Sequence, residues 1–165
     1  MRRVRLLVCD VPFALAVGLL LFAFHPSPAG AKDLPSDVCS LLTPQQLQKT
    51  LGQSFGTAQN TSAPAAYAGQ SAGTNCRYSD QGGHLEVFLI VYADRSPEEA
   101  KQTFDKLSAW YPATSKPSGI GDSAYIDKDH AIHVLKGRVR YFINAGSHAS
   151  DKQVQDLANA VAAQL

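Results

Sequence analysis

The chain has 165 residues, 45% of them hydrophobic and 18% charged, and carries 15 Lys and Arg against 14 Asp and Glu. A chain of this size makes one domain with enough buried surface for a proper core. The nearly balanced charge, with no basic run, excludes a partner chosen by bulk attraction, whether nucleic acid or an anionic membrane.

The N-terminus carries the most specific signal. Met1-Arg2-Arg3-Val4-Arg5 is a basic start, residues 11–24 are an unbroken apolar run, and Pro26-Ser27-Pro28 breaks any helix. Ala29-Gly30-Ala31 then supplies small residues for a peptidase. That order predicts a secretory signal peptide, residues 1–31, cleaved after Ala31 to leave residues 32–165 as one exported domain, periplasmic or secreted. A membrane anchor fits less well, because Asp10 interrupts the apolar stretch and a spanning helix needs about 20 apolar residues. Cleavage removes three arginines and Asp10, so 12 basic side chains then face 13 acidic ones.

Two of the three cysteines, Cys39 and Cys76, survive cleavage. An even number in an oxidising compartment predicts a disulfide, and the wide spacing offers no close doublet for a metal. Closing that loop should stabilise the fold by roughly 3–4 kcal/mol in the chain-entropy model.

Along the chain, Thr43-Pro44-Gln45-Gln46 forms a capping box with proline at the first helical position. The helix it starts spans residues 44–51 and ends at Gly52. Residues 59–74 are rich in Ala, Ser, Thr and Gly without periodic apolar positions, and predict a flexible loop with one short strand near residues 65–68. A strand at residues 76–78, a turn at residues 80–83 and a strand at residues 84–92 follow. Both faces of the second strand are apolar, which suits a central position. Ser96-Pro97-Glu98-Glu99 caps a helix running to about residue 109, with Ala100, Phe104 and Leu107 as its buried stripe.

Residues 110–118 read as a Pro-containing connector, residues 123–127 as a short strand, and residues 131–136 and 138–145 as strands joined by a tight hairpin at Gly137. Ser150-Asp151-Lys152-Gln153 caps the last helix, whose stripe is Val154, Leu157, Ala158, Val161 and Leu165. The predicted fold is α+β, a single domain with an antiparallel sheet backed by helices, ordered helix, strands, helix, strands, helix.

Cys39-Ser40-Leu41-Leu42-Thr43-Pro44, Leu51-Gly52, Asn75-Cys76-Arg77-Tyr78 and Gly119-Ile120-Gly121-Asp122-Ser123-Ala124-Tyr125 occur in one order before an amphipathic C-terminal helix. This arrangement resembles a family of small secreted or lipid-anchored bacterial domains of unknown function, over nearly all of residues 32–165. The resemblance implies a Cys39–Cys76 bridge and a compact sheet backed by helices, and implies no activity. The chain differs from the lipid-anchored members in lacking a usable lipidation cysteine, since Cys9 follows bulky Val8 and precedes the main apolar run.

Several short patterns invite chemistry. Gly52-Gln53-Ser54-Phe55-Gly56 and Gly69-Gln70-Ser71-Ala72-Gly73 both fit the G-x-S-x-G elbow of serine hydrolases, with His84, His130, His133 or His148 and Asp122 as conceivable partners. In such an elbow the serine sits between a strand and a following helix. Ser54 instead follows a helix, and Ser71 lies in low-complexity sequence, so both matches read as accidents. Gly119-Ile120-Gly121-Asp122 precedes a strand, whereas a phosphate cradle leads into a helix N-terminus.

Asp127, Asp129, His130 and His133 are metal-capable, but histidines three apart fall on opposite strand faces and read as surface residues. Arg138, Arg140, Phe142 and Asn144 share one face of the last strand, with Val139, Tyr141 and Ile143 facing the core. Two guanidiniums bracketing an aromatic make Arg138, Arg140 and Phe142 the candidate binding face, suited to a carboxylate-bearing ligand or a protein surface. The expected function is therefore a non-catalytic binding module without cofactor or metal. A small hydrolase using Ser54 or Ser71 is the alternative.

Overall fold

The computed structural model describes residues 34–65 and 72–165, all within a unit spanning Ala31–Leu165. The expected signal peptide and Ser71 lie outside the described residues. Among the described residues, no helix is long and apolar enough to cross a membrane.

Among the described residues the fold is α+β, one seven-stranded antiparallel sheet with three α-helices. Its strands are β1 (Gln59–Ala63), β2 (Gly73–Ser79), β3 (Glu86–Ala93), β4 (Ala113–Ser115), β5 (Ser123–Asp127), β6 (Ile132–Lys136) and β7 (Val139–Asn144), in the spatial order β1-β2-β3-β7-β6-β5-β4. Two meanders thus meet at the β3–β7 pair, and the chain crosses between them through helix α2 (Pro97–Trp110).

Helix starts follow the capping chemistry of the sequence. In α1 (Pro44–Leu51) the Gln46 amide donates to Thr43 Oγ1 at 3.2 Å, and the Thr43 amide donates to Gln46 Oε1 at 2.7 Å. Gly52 closes this helix at φ 78°, a left-handed conformation that costs glycine no Cβ clash. Helix α3 (Asp151–Ala162) repeats the reciprocal box through Ser150 and Gln153. At α2 only half of the box forms: Ser96 caps the Glu99 amide, while the Glu99 carboxylate turns back to the backbone and guanidinium of Arg95.

Strand alternation sorts the two faces of the sheet. Val87, Leu89 and Val91 of β3, Tyr141 and Ile143 of β7, and Ile132 and Val134 of β6 point into the main core. There they meet Leu47 of α1 and the α3 stripe of Val154, Leu157, Ala158 and Val161. The Tyr141 hydroxyl donates to the Ala158 carbonyl at 2.8 Å, fixing α3 to this face. The opposite face packs against α2 through a smaller cluster of Ala100, Phe104, Tyr125 and Leu135. Leu107, expected in the buried stripe, is only half-buried.

The Cys39–Cys76 disulfide joins the segment before α1 to β2, with the two Cα atoms 5.4 Å apart. Tyr78, two residues further along the same face of β2, donates its hydroxyl to the Leu42 carbonyl at 2.5 Å and lies 2.8 Å from that of Cys39. Burial pushes the pKa of this phenol up, so it stays a neutral donor.

Two segments differ from the sequence expectation. Residues 59–63 form β1 rather than flexible loop, with Gln59 paired to Arg77 and Ala63 to Gly73. As an edge strand its first four residues stay exposed on both faces, so there was no apolar alternation to detect. Residues 113–115 form β4 on the other edge, where Thr114 Oγ1 donates to the Ile126 carbonyl at 3.1 Å and lies 3.2 Å from that of Asp127.

Candidate functional site

The face of the sheet turned toward α2 carries one continuous cross-strand row. Register places Asn75 of β2 beside Ile90 of β3, Ile90 beside Phe142 of β7, Phe142 beside His133 of β6, and His133 beside Tyr125 of β5. Helix α2 covers only part of this face. Phe104 packs edge-on against Tyr125 at 5.2 Å, and the rest of the row forms one wall of a cavity of about 440 Å³. Phe104 and Leu107 of α2, together with Tyr111, face it from the helix side, and residues 62–65 close one flank. Cavities of this size and apolar character are ordinary sites for small ligands.

His133 lies between Phe142 and Tyr125 in the row and is 8% exposed. Its imidazole stacks on Tyr125 at 4.5 Å and 9° between planes, and also lies against Phe142 at 5.4 Å and Tyr111 at 5.7 Å. Its Nε2 is 2.9 Å from Asp127 Oδ2. The carboxylate only accepts, so Nε2 carries the hydrogen. Burial pulls the His133 pKa below its ordinary value, with Asp127 pulling the other way, so the ring is neutral at neutral pH. In that tautomer Nδ1 is an acceptor, and no described residue donates to it. Asp127 is itself held from behind, its Oδ1 accepting from the amides of Asp129 at 2.9 Å and Ala131 at 3.0 Å.

A second pair bounds the cavity at Arg140, which is 3% exposed and donates from Nε and Nη2 to Asp94 at 2.5 and 3.0 Å. Its guanidinium also lies 4.9 Å from the centroid of the Tyr92 ring. Burial raises the Tyr92 pKa, and the nearby guanidinium moderates that rise. Tyr92 can lean over β2 because the facing residue is Gly73, where any Cβ would come 2.7 Å from the ring. Across the row, Asn75 Oδ1 is buried with no hydrogen-bond partner among the described residues.

The predicted binding face is thus divided. Phe142 and Arg140 line the cavity, paired in register with His133 and Leu135, whereas Arg138 is half-exposed and not among the lining residues. The Nε–Nη2 edge of Arg140 is not free for an incoming carboxylate, because Asp94 already occupies it. The reading of His133 as a surface residue is overturned, since alternation turns it under α2. His130 does lie at the surface, with a positive φ of 58° and its Nδ1 2.9 Å from Asp151.

Ser54 lies between α1 and an isolated bridge at Phe55, with its carbonyl accepting from Gln81, and is not among the residues lining the cavity. Among the described residues, no three His, Cys, Asp or Glu side chains gather as a metal site would require.

Sequence reasoning missed Asn75, Ile90, Tyr92, Asp94 and Tyr111 as site residues. The parity of β3 placed Ile90 and Tyr92 on one face, but which strand lay beside them depended on a long-range pairing.

In comparisons with known proteins, no family model matches the chain, and neither a curated protein nor a solved structure matches it.

Proposed function

We propose that the protein is an exported, non-catalytic binding module whose ligand occupies the cavity between α2 and the sheet. The observation that carries this reading is the cavity itself, about 440 Å³ lined by Ile90, Tyr92, Tyr111, His133 and Phe142. Its aromatic side chains are held by stacking and register, so a ligand would pay little to order them. Export, to the periplasm or the medium, is supported by the order of charge, apolar run and small residues in residues 1–31, and by the Cys39–Cys76 bridge. The resemblance to small secreted or lipid-anchored bacterial domains agrees with that location and assigns no activity.

Ligand-observed NMR with a fragment mixture tests the reading, using residues 32–165 and the variant Ile90→Trp. The larger ring projects from the floor of the cavity, so fragments that bind the wild type should be released from the variant. Wild type that retains no fragment, or fragments that bind the folded variant equally well, would refute it.

One observation favours a second reading. His133 and Asp127 form a buried pair of the kind that orients a general base, which suits a small hydrolase. Ser54 or Ser71 would have to supply its nucleophile. Hydrolysis of an ester panel that disappears in Ser54→Ala or Ser71→Ala would support this reading over binding alone.

A further inference from the structure

The polar groups around the cavity are unequal in kind. Two acceptors at the cavity lack a donor among the described residues: Nδ1 of neutral His133, and Asn75 Oδ1, which is buried and unsatisfied. The strongest donor, Arg140, has its Nε–Nη2 edge closed by Asp94. Arg140 is the one Lys or Arg among the described lining residues, and Asp94 cancels its charge. Asp127 adds a carboxylate whose partners are two backbone amides and an uncharged imidazole. The local balance is therefore negative. Tyr92, Tyr111 and Phe142 contribute aromatic surface of the kind that attracts cations.

Geometry sets the shape of what fits. Asn75 and His133 stand three strand spacings apart in the row, or roughly 14 Å at about 4.8 Å per strand. Ile90 and Phe142 lie between them and are apolar. A flat molecule lying along the row would cover an apolar middle and meet an acceptor toward either end.

Resting on the binding reading above, we infer that the cavity is a site for flat polycyclic or heteroaromatic amines, neutral or singly cationic. Their N–H groups donate to His133 Nδ1 and Asn75 Oδ1, and the site discriminates against carboxylates and phosphates. This selectivity is opposite to that of a free arginine face. Burying an anion here would place it beside Asp127 with no unpaired cation to compensate.

Three tricyclic probes of similar size separate the terms in isothermal titration calorimetry at pH 7.5. Proflavine is cationic with an amine at each end, acridine has no N–H donor at this pH, and anthracene-2-carboxylate is anionic. The expected order is proflavine tightest, by at least tenfold over acridine, and the carboxylate weakest. In Asn75→Leu and His133→Phe, which remove an acceptor while keeping bulk, the preference for proflavine over acridine should narrow at least threefold, with acridine affinity little changed. Asn75→Leu serves as the independent test should His133→Phe fail to fold.

The inference is overturned if the carboxylate binds as tightly as proflavine, if both folded variants keep the full preference, or if no tricycle binds. In those cases, fragments displaced by Ile90→Trp would leave the binding reading standing and reject only this ligand class. Probe binding unaltered by Ile90→Trp would reject both.

Discussion

Arg140→Ala tests whether Arg140 belongs to the architecture of the cavity or to a surface that grips partners. In the wild type, Asp94 is 1% exposed and Arg140 3% exposed, with two contacts at 2.5 and 3.0 Å. At such separations, two unit charges attract by several kcal/mol even with an effective dielectric near 20. Truncation to alanine would leave the Asp94 carboxylate buried without its cation, a change that typically costs about 3–5 kcal/mol. It also removes the guanidinium over Tyr92, a contact of about 0.5–2 kcal/mol. For a domain of this size, each kcal/mol lowers Tm by roughly 3–5 °C, so the pair loss alone predicts a fall of about 10–20 °C.

Urea and thermal denaturation followed by circular dichroism would measure the loss, with half-exposed Arg138→Ala as the control expected to cost less than about 1 kcal/mol. The double variant Asp94→Leu/Arg140→Leu should recover most of the stability, because removing both charges leaves no uncompensated ion. A loss below about 1 kcal/mol in Arg140→Ala, or a double variant no better than the single one, would refute this reasoning.

Reducing the Cys39–Cys76 bridge, which spans a sequence separation of 37, should lower stability by about 4 kcal/mol in the chain-entropy model. Urea midpoints with and without reductant would show it, and a difference below about 1 kcal/mol would contradict it. Ser54→Ala should leave any hydrolytic turnover within about twofold, since loss of a working nucleophile costs several orders of magnitude. Because the folded His133 pKa lies below its unfolded value near 6.5, the unfolded chain binds more protons in the interval between the two. Stability from this residue is therefore complete above about pH 6.5 and declines as pH falls toward the folded pKa. Urea midpoints from pH 8 to pH 5 should fall more steeply in wild type than in His133→Phe, and parallel slopes would deny His133 this role.

Much of the fold was readable because its determinants are local. A capping threonine or serine, glutamine three residues on, and an apolar stripe are properties of a few neighbouring residues, and they placed α1 and α3 closely. The hairpin at Gly137 was likewise legible, and it pairs Leu135 with Arg140 and His133 with Phe142. The edge strands were illegible for the complementary reason. Most of the side chains of β1 reach no core, so nothing in Gln59-Asn60-Thr61-Ser62 distinguishes a solvated strand from a loop until β2 supplies the hydrogen bonds.

The cavity depends on relations that no short window contains. Asp94 follows β3, and Arg140 enters β7 46 positions later; they meet because β3 and β7 pair antiparallel, with Ala93 opposite Val139. Without that pairing, a row of Arg138, Arg140 and Phe142 looks like two free cations around an aromatic. With it, one cation is neutralised and buried, the other is not among the cavity-lining residues, and Phe142 gains Ile90 as a neighbour on its far side. His133 shows the same limit from the other direction. Its parity with Leu135 was evident, but its burial required α2 to cross back over β6 and Tyr125 to arrive from β5. The chemistry of the site changes sign through these contacts, from a surface offering donors to anions into an aromatic cavity offering acceptors to donors.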